Sequence, residues 1–280
     1  MAFERLKKQL NLFDVFALSI GPMLSSGIFL LPGLVFGEVG TMAPLIYLVA
    51  GILIFPALFS KAELATAMPR AGGTYYFIYR SMGAALGTIA GLGTWLALTF
   101  KSAFDLIGLG AYLVIFYKLP ITPLAIALSV LFMVLSIAGV KKVGKFQGVL
   151  VGLLIALLAY FVALGIPWID TESIRPVLSE EGASFLSTVG LVYVGFTGIT
   201  KVASVAEEVD NLDRNIPLGM LISMISTMVI YILVLVVIIG VTPSAELNDS
   251  LTPITDAAGN FLGTTGVTLM TIAAVLAFTA

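Results

Sequence analysis

Eight apolar stretches follow one another along this 280-residue chain: 13–36, 42–60, 84–116, 123–140, 143–166, 183–205, 217–241 and 261–280. About 20 apolar residues cross a bilayer as a helix. In lipid, every unpaired backbone N–H or C=O costs several kcal/mol, so the helix is the cheap structure. The expected fold is therefore all-α and polytopic. Composition agrees: 59% of residues are hydrophobic and 11% are charged, where a soluble domain carries about 25% charged residues. The first run is too long for the h-region of a signal peptide, roughly 7–15 residues, and no small-x-small cleavage site follows it. It reads as a retained span.

The connections between runs are short, so the loops alternate sides. One side then receives Arg5, Lys7, Lys8, Lys61, Arg70, Arg80, Lys141, Lys142, Lys145 and Arg214, and the other Lys118 and Arg175. Lys101 and Lys201 lie inside spans. A ten-to-two split places the N-terminus in the cytoplasm of a multi-pass protein of the cell membrane. The last run has only 14 residues after Gly266 and then ends. That is short for a crossing, so the chain is expected to be cut within its eighth span.

Two runs contain residues that weaken a helix. The first reads "GPMLSSGIFLLPG" from Gly21 to Gly33, and the second holds Gly195-Phe196-Thr197-Gly198. Four spans separate them, so they occupy matching places in two successive five-span units. Paired interrupted spans in corresponding halves point to a transporter binding site at a repeat interface. A broken helix presents N–H groups, with the positive end of its dipole, at the start of its second half. It presents carbonyls at the end of its first half. A carboxylate can sit on the N–H groups of Ser25, Ser26 and Gly27. An ammonium can sit on the carbonyls of Met23, Val194 or Thr197. The competing reading is that small residues only allow close packing of helices.

The motifs carrying these breaks resemble those of the amino acid–polyamine–organocation (APC) transporters. "SSGIFLLPG" is similar to their first-span G-S-G-I-F signature. "KAELATAMPRAGGTYYFIYRSMG" at 61–83 is similar to their Y-A-E-L…P-x-x-G-G-x-Y-x-Y segment. "GFTGITKVASVAEEVDNLDRNIP" at 195–217 resembles their F-x-Y-x-G-F-E…E-E-x-x-N-P-x-R-N-I-P. The resemblance covers essentially the whole chain. It implies a LeuT-type 5+5 inverted repeat with discontinuous helices 1 and 6, here ending in helix 8. Residues 1–166 would form the first five-span repeat and 167–280 part of the second, in one membrane domain.

Carried over by position, the resemblance assigns Ser25, Ser26 and Gly27 to the carboxylate and the Met23 carbonyl to the amine. It assigns Val194, Thr197 and Gly198 to the sixth-span break. Phe196 becomes the aromatic cover and Ser102 a pocket-lining residue. There are departures. Thr200 stands where many members have Glu, Leu212 replaces the Pro of N-P, and no lysine lies near Leu154, where some members carry one for coupling.

Charges inside spans are expensive and suggest function. Lys101 and Asp105 are one helical turn apart and can meet. They read either as a proton-exchanging pair or as a static ion bridge. Lys201 is a third coupling candidate. Glu63, Arg70, Glu207, Glu208, Asp210 and Arg214 lie near cytoplasmic ends, as gating salt bridges or as simple interfacial charges.

The reading is a secondary active transporter of amino acids or related amines working by alternating access. Its partners are a small-molecule substrate, the bilayer, and protons or sodium. No cofactor, metal or nucleic acid is expected. The alternatives are a channel or a non-transporting membrane sensor; a channel would repeat rings of carbonyls or charges. An enzyme would lack actors, since the chain has neither His nor Cys and no paired carboxylates within a span.

Overall fold

The computed structural model describes residues 8–70, 72–117, 120–138, 143–174 and 182–280. Its helices in chain order are α1 (Leu12–Phe29), α2 (Leu31–Val39), α3 (Ala43–Ala67), α4 (Gly73–Met82), α5 (Ala84–Tyr117), α6 (Ile121–Ala138), α7 (Val143–Gly165), α8 (Gly182–Phe196), α9 (Leu212–Val241), α10 (Ser244–Leu247) and α11 (Pro253–Thr279). No strand forms among the described residues; one isolated bridge joins Leu10 to Val209. Among the described residues, seven helical segments are long and apolar enough to cross a membrane, and Ile121–Val134, in the fourth expected run, is a shorter apolar helix. Gly40–Met42 turns as a 3₁₀ helix between α2 and α3, so 31–67 is one helical segment of 37 residues.

A capping box starts α1. The Asn11 side chain accepts from the N–H groups of Phe13 and Asp14, and the Asp14 carboxylate accepts from the Asn11 N–H. This helix is the axis of the bundle: it packs against α5, α7, α8, α9 and α11, and 72% of its apolar window is buried, against 28% for Gln147–Trp168. Large apolar side chains face outward elsewhere, including Ile89, Phe100 and Ile137. An outer shell of this kind suits lipid rather than water. The molecule is an all-α, multi-pass membrane protein.

Span 1 is discontinuous. Pro22 lies inside α1, and Ser25 leaves the helical region with φ −59° and ψ −105°. α1 then ends at Leu30, whose N–H still bonds the Ser26 carbonyl, and Pro32 opens α2. Span 6 also leaves α geometry within its weakened segment: α8 ends at Phe196 and tightens from Thr197 into a 3₁₀ helix that runs to Ser204.

The eighth span departs from expectation. α11 begins at Pro253 rather than near 261, and it kinks at Gly263, where φ is 59° and ψ −146°. The polar start is accommodated locally. The Asp256 carboxylate accepts from the hydroxyls of Ser250 and Thr252.

Loop alternation holds at both ends. Lys8, the α3 end at Ala67–Arg70, Tyr76 and Arg80 of α4, Glu207 and Leu212 surround one cavity of about 500 Å³. At the other end, the Asp170 N–H bonds the carbonyl of Gly240. The helix α4 is set off by glycines at positive φ: Gly72 at 137°, Gly73 at 50° and Gly83 at 93°. Arg5, Lys7, Lys118, Lys141, Lys142 and Arg175 lie outside the described residues.

Candidate functional site

The two weakened segments touch. A Cβ on Gly198 would stand 2.8 Å from the Pro22 carbonyl carbon and 2.9 Å from the Met23 nitrogen. A Cβ on Gly195 would stand 3.4 Å from the Gly27 Cα. Glycine at 195 and 198 thus lets span 6 lie directly on the backbone of the span 1 kink. Met23, Ser25, Ser26, Gly27, Phe196 and Gly198 are all buried there.

Charge reaches the kink from α5. The Lys101 ammonium donates to the Ser26 hydroxyl at 3.0 Å and lies 3.4 Å from an Asp105 oxygen. The Ser25 hydroxyl donates to the other Asp105 oxygen at 3.2 Å and to the Pro22 carbonyl at 3.1 Å. Both serines expected to hold a carboxylate are therefore held by a lysine–aspartate pair. Lys201, in the 3₁₀ segment of span 6, interacts electrostatically with Lys101 and Asp105. In a 3₁₀ helix residues three apart eclipse, so Lys201 shares the side of Gly198 that faces span 1. Of the three coupling candidates, Lys101 and Asp105 meet at the kink, and the Lys201 side chain is exposed.

The carbonyls at the kink are occupied, which the sequence did not reveal. The Tyr231 hydroxyl of α9 donates to the Met23 carbonyl. The Tyr47 hydroxyl of α3 donates to the Gly27 carbonyl at 2.8 Å, and that of Tyr112 in α5 to Phe29 at 2.7 Å. All three rings are fully buried. Tyr231 packs between Tyr47, at 5.3 Å between ring centres, and Phe196, at 5.0 Å. Phe196 thus belongs to an aromatic cluster beside the kink. Buried tyrosine hydroxyls nearly always find a partner, and three tyrosines in apolar spans were the available signal.

Other candidates lie elsewhere. Val194 is exposed, and its carbonyl accepts from the Thr197 hydroxyl at 2.6 Å, a bond within span 6. Ser102 is exposed, because one residue along a helix turns it away from the face of Lys101 and Asp105.

The candidate gate residues cluster at the end bearing Lys8. Arg70 and Glu207 line its cavity, and Asp210 and Arg214 line a neighbouring one of about 460 Å³. Among the described residues, no ion pair within 4.0 Å joins Arg70 or Arg214 to Glu63, Glu208 or Asp210. Glu63, Arg70, Asp210 and Arg214 are exposed, and water leaves such charges little to gain from pairing. Backbone bonds tie the N-terminal segment to this end. The N–H groups of Gln9 and Leu10 bond the Glu208 carbonyl, and the Asp210 N–H bonds that of Leu10. At the opposite end, α2 lies against the 248–250 segment. A Cβ on Gly33 would overlap the carbonyl of Ser250, and one on Gly37 would crowd Asn248 and Asp249.

Comparison with known proteins fits this arrangement. The family model described as "Amino acid permease" matches residues 10–280. The chain is similar to the branched-chain amino acid permease BcaP of Bacillus subtilis, 26% identical over 87% of this chain and 57% of the relative. It is similar to the vacuolar cationic amino acid transporter 4 of Arabidopsis thaliana, 25% identical over 92% of this chain and 47% of the relative. It is also similar to the methylthioribose transporter of Bacillus subtilis, 26% identical over 88% and 58%. The chain spans about half the length of these relatives. A match that runs through both weakened spans and every helix between them decides the matter: this chain belongs to the amino acid permease family of the APC superfamily.

Proposed function

We propose that this chain carries the substrate site of a secondary transporter of amino acids or related amines that works by alternating access. One observation supports this above the rest: two weakened spans meet backbone to backbone, and a charged pair from a third span bonds the serines at the kink. Ionisable groups inside a membrane domain mark substrate or ion pathways. The relatives' printed names, covering branched-chain and cationic amino acids and methylthioribose, support a carrier of small metabolites. They agree on no single substrate.

Alternating access needs two ends that open in turn. A cavity at the end bearing Lys8 and a packed seal where Ser250 meets Gly33 suit a form closed on one side. The ten-to-two charge split favours the Lys8 end as cytoplasmic and the plasma membrane as location. The division into a first repeat at 1–166 and a second beginning at 167 belongs to this proposal. So does the assignment of Met23, Ser25, Ser26, Gly27, Phe196, Thr197 and Gly198 as the substrate seat, and of protons or sodium as the driving ion.

The test is counterflow. The full-length protein in liposomes preloaded with each of the twenty amino acids or a polyamine should accumulate the same labelled compound against its gradient. Uptake that neither saturates nor shows counterflow would mean a channel instead.

A further inference from the structure

The Lys101–Asp105 pair is built loosely for a structural ion bridge. Its separation is 3.4 Å, whereas a charge-assisted N–H···O bond is about 2.7–2.9 Å. Lys101 lies closer to Ser26, at 3.0 Å, than to its own aspartate. The two side chains keep 9% and 21% of their surface accessible. Each also has a hydroxyl of its own at the kink, Ser26 for the lysine and Ser25 for the aspartate.

We infer that Lys101 and Asp105 are the substrate's recognition pair and exchange partners with it. The ligand carboxylate takes Lys101 and Ser26, and the ligand ammonium takes Asp105 and Ser25. This rests on the carrier reading above and names its substrate class: compounds that bear both a carboxylate and an ammonium. An α-amino acid holds its two charges on one carbon and lies antiparallel to the pair, so one ion pair becomes two. A polyamine cannot do this. It would take Asp105 from Lys101 and offer that lysine no carboxylate in return. The pair is thus a specificity device set beside the backbone, and it excludes the amine branch of the possible substrates.

The experiment measures thermal stabilisation of purified full-length protein by the twenty L-amino acids, putrescine and spermidine. Each amino acid that stabilises is compared with its decarboxylated amine and its deaminated acid. At least one amino acid should bind, and its amine should not. Asp105→Asn should weaken the amino acid roughly tenfold or more, as expected for a lost charge-assisted bond, and leave the deaminated acid unchanged or tighter. Lys101→Gln should weaken the amino acid and the deaminated acid together. The double variant Lys101→Gln/Asp105→Asn leaves no lone charge behind; it should fold and still fail to bind the amino acid. Equal losses for all three ligands, wild-type binding by the folded double variant, or polyamine binding as tight as amino acid binding overturns the assignment while leaving the carrier reading intact. Silence from every compound sinks both.

Discussion

Gly27 is a glycine because of Tyr231, and a double-mutant cycle can establish it. A Cβ at position 27 would overlap the Tyr231 hydroxyl and stand 2.8 Å from the ring carbon bearing it. The ring has nowhere to retreat. It is fully buried, crosses Tyr47 at 85° and packs against Phe196. Gly27→Ala must therefore push Tyr231 off the Met23 carbonyl. Overpacking costs about 1–3 kcal/mol, and a buried carbonyl left without its donor costs about 1–3 kcal/mol more. The expected loss is roughly 2–6 kcal/mol by these two effects. Tyr231→Ala alone should cost about 3–5 kcal/mol as a large buried ring lost. With the ring gone, Gly27→Ala should cost almost nothing further. The coupling energy should then equal nearly the whole effect of the glycine substitution. The assay is the unfolding midpoint of the four purified proteins in one detergent. If Gly27→Ala lowers the midpoint as much without Tyr231 as with it, the glycine serves some other contact and the clamp argument fails.

Gly198→Ala should separate spans 1 and 6, since its Cβ would press on the backbone of Pro22 and Met23, which cannot rotate away; a loss of about 1–3 kcal/mol and of counterflow is expected, and wild-type behaviour would show that the contact is soft. Ser26→Ala removes the 3.0 Å partner of Lys101 and should weaken substrate binding by about 1–2 kcal/mol in the same stabilisation assay; an unchanged midpoint shift would remove Ser26 from the seat. Gly33→Ala should lift the Ser250 segment from α2. Because the chain has no Cys, a single Thr255→Cys, at a side chain 2% exposed, should gain reactivity to an impermeant thiol reagent only when Gly33→Ala is added. Orientation is read the same way: Thr74→Cys should react from the cytoplasm and Ser173→Cys from outside, and the reverse would overturn the topology.

Much of the architecture could be read from the chain because lipid makes few demands and makes them strictly. Apolar runs had to be helices, and Pro22, Ser25 and Pro32 had to disturb one of them. The i, i+4 spacing of Lys101 and Asp105 fixed that they meet, and they do. Their attachment to Ser26 and Ser25 spans 75 and 80 residues, and no local pattern encodes it. The start of α11 was hidden for a related reason. Thr255, Asp256 and Asn260 read as a loop, yet Asp256 is satisfied by two hydroxyls just before it. The gate candidates could be located from charge alone, but pairing among exposed side chains is too weak to be written in sequence.

The tyrosines change how the site must work. A span that leaves helical geometry in lipid needs donors for its carbonyls, and here Tyr231, Tyr47 and Tyr112 supply them from three other spans. An ammonium arriving at Met23 therefore displaces a hydroxyl that already satisfies that carbonyl. It gains only the difference between two hydrogen bonds, which is small. Carbonyls clamped in this way hold the kink in shape but discriminate poorly among ligands. Discrimination falls to groups whose interaction grows when a ligand arrives. Lys101 and Asp105 qualify, because a 3.4 Å pair with surface to spare has charge interaction still to gain. Backbone shape and side-chain charge thus divide the work, the first fixing where the kink lies and the second fixing what may sit on it.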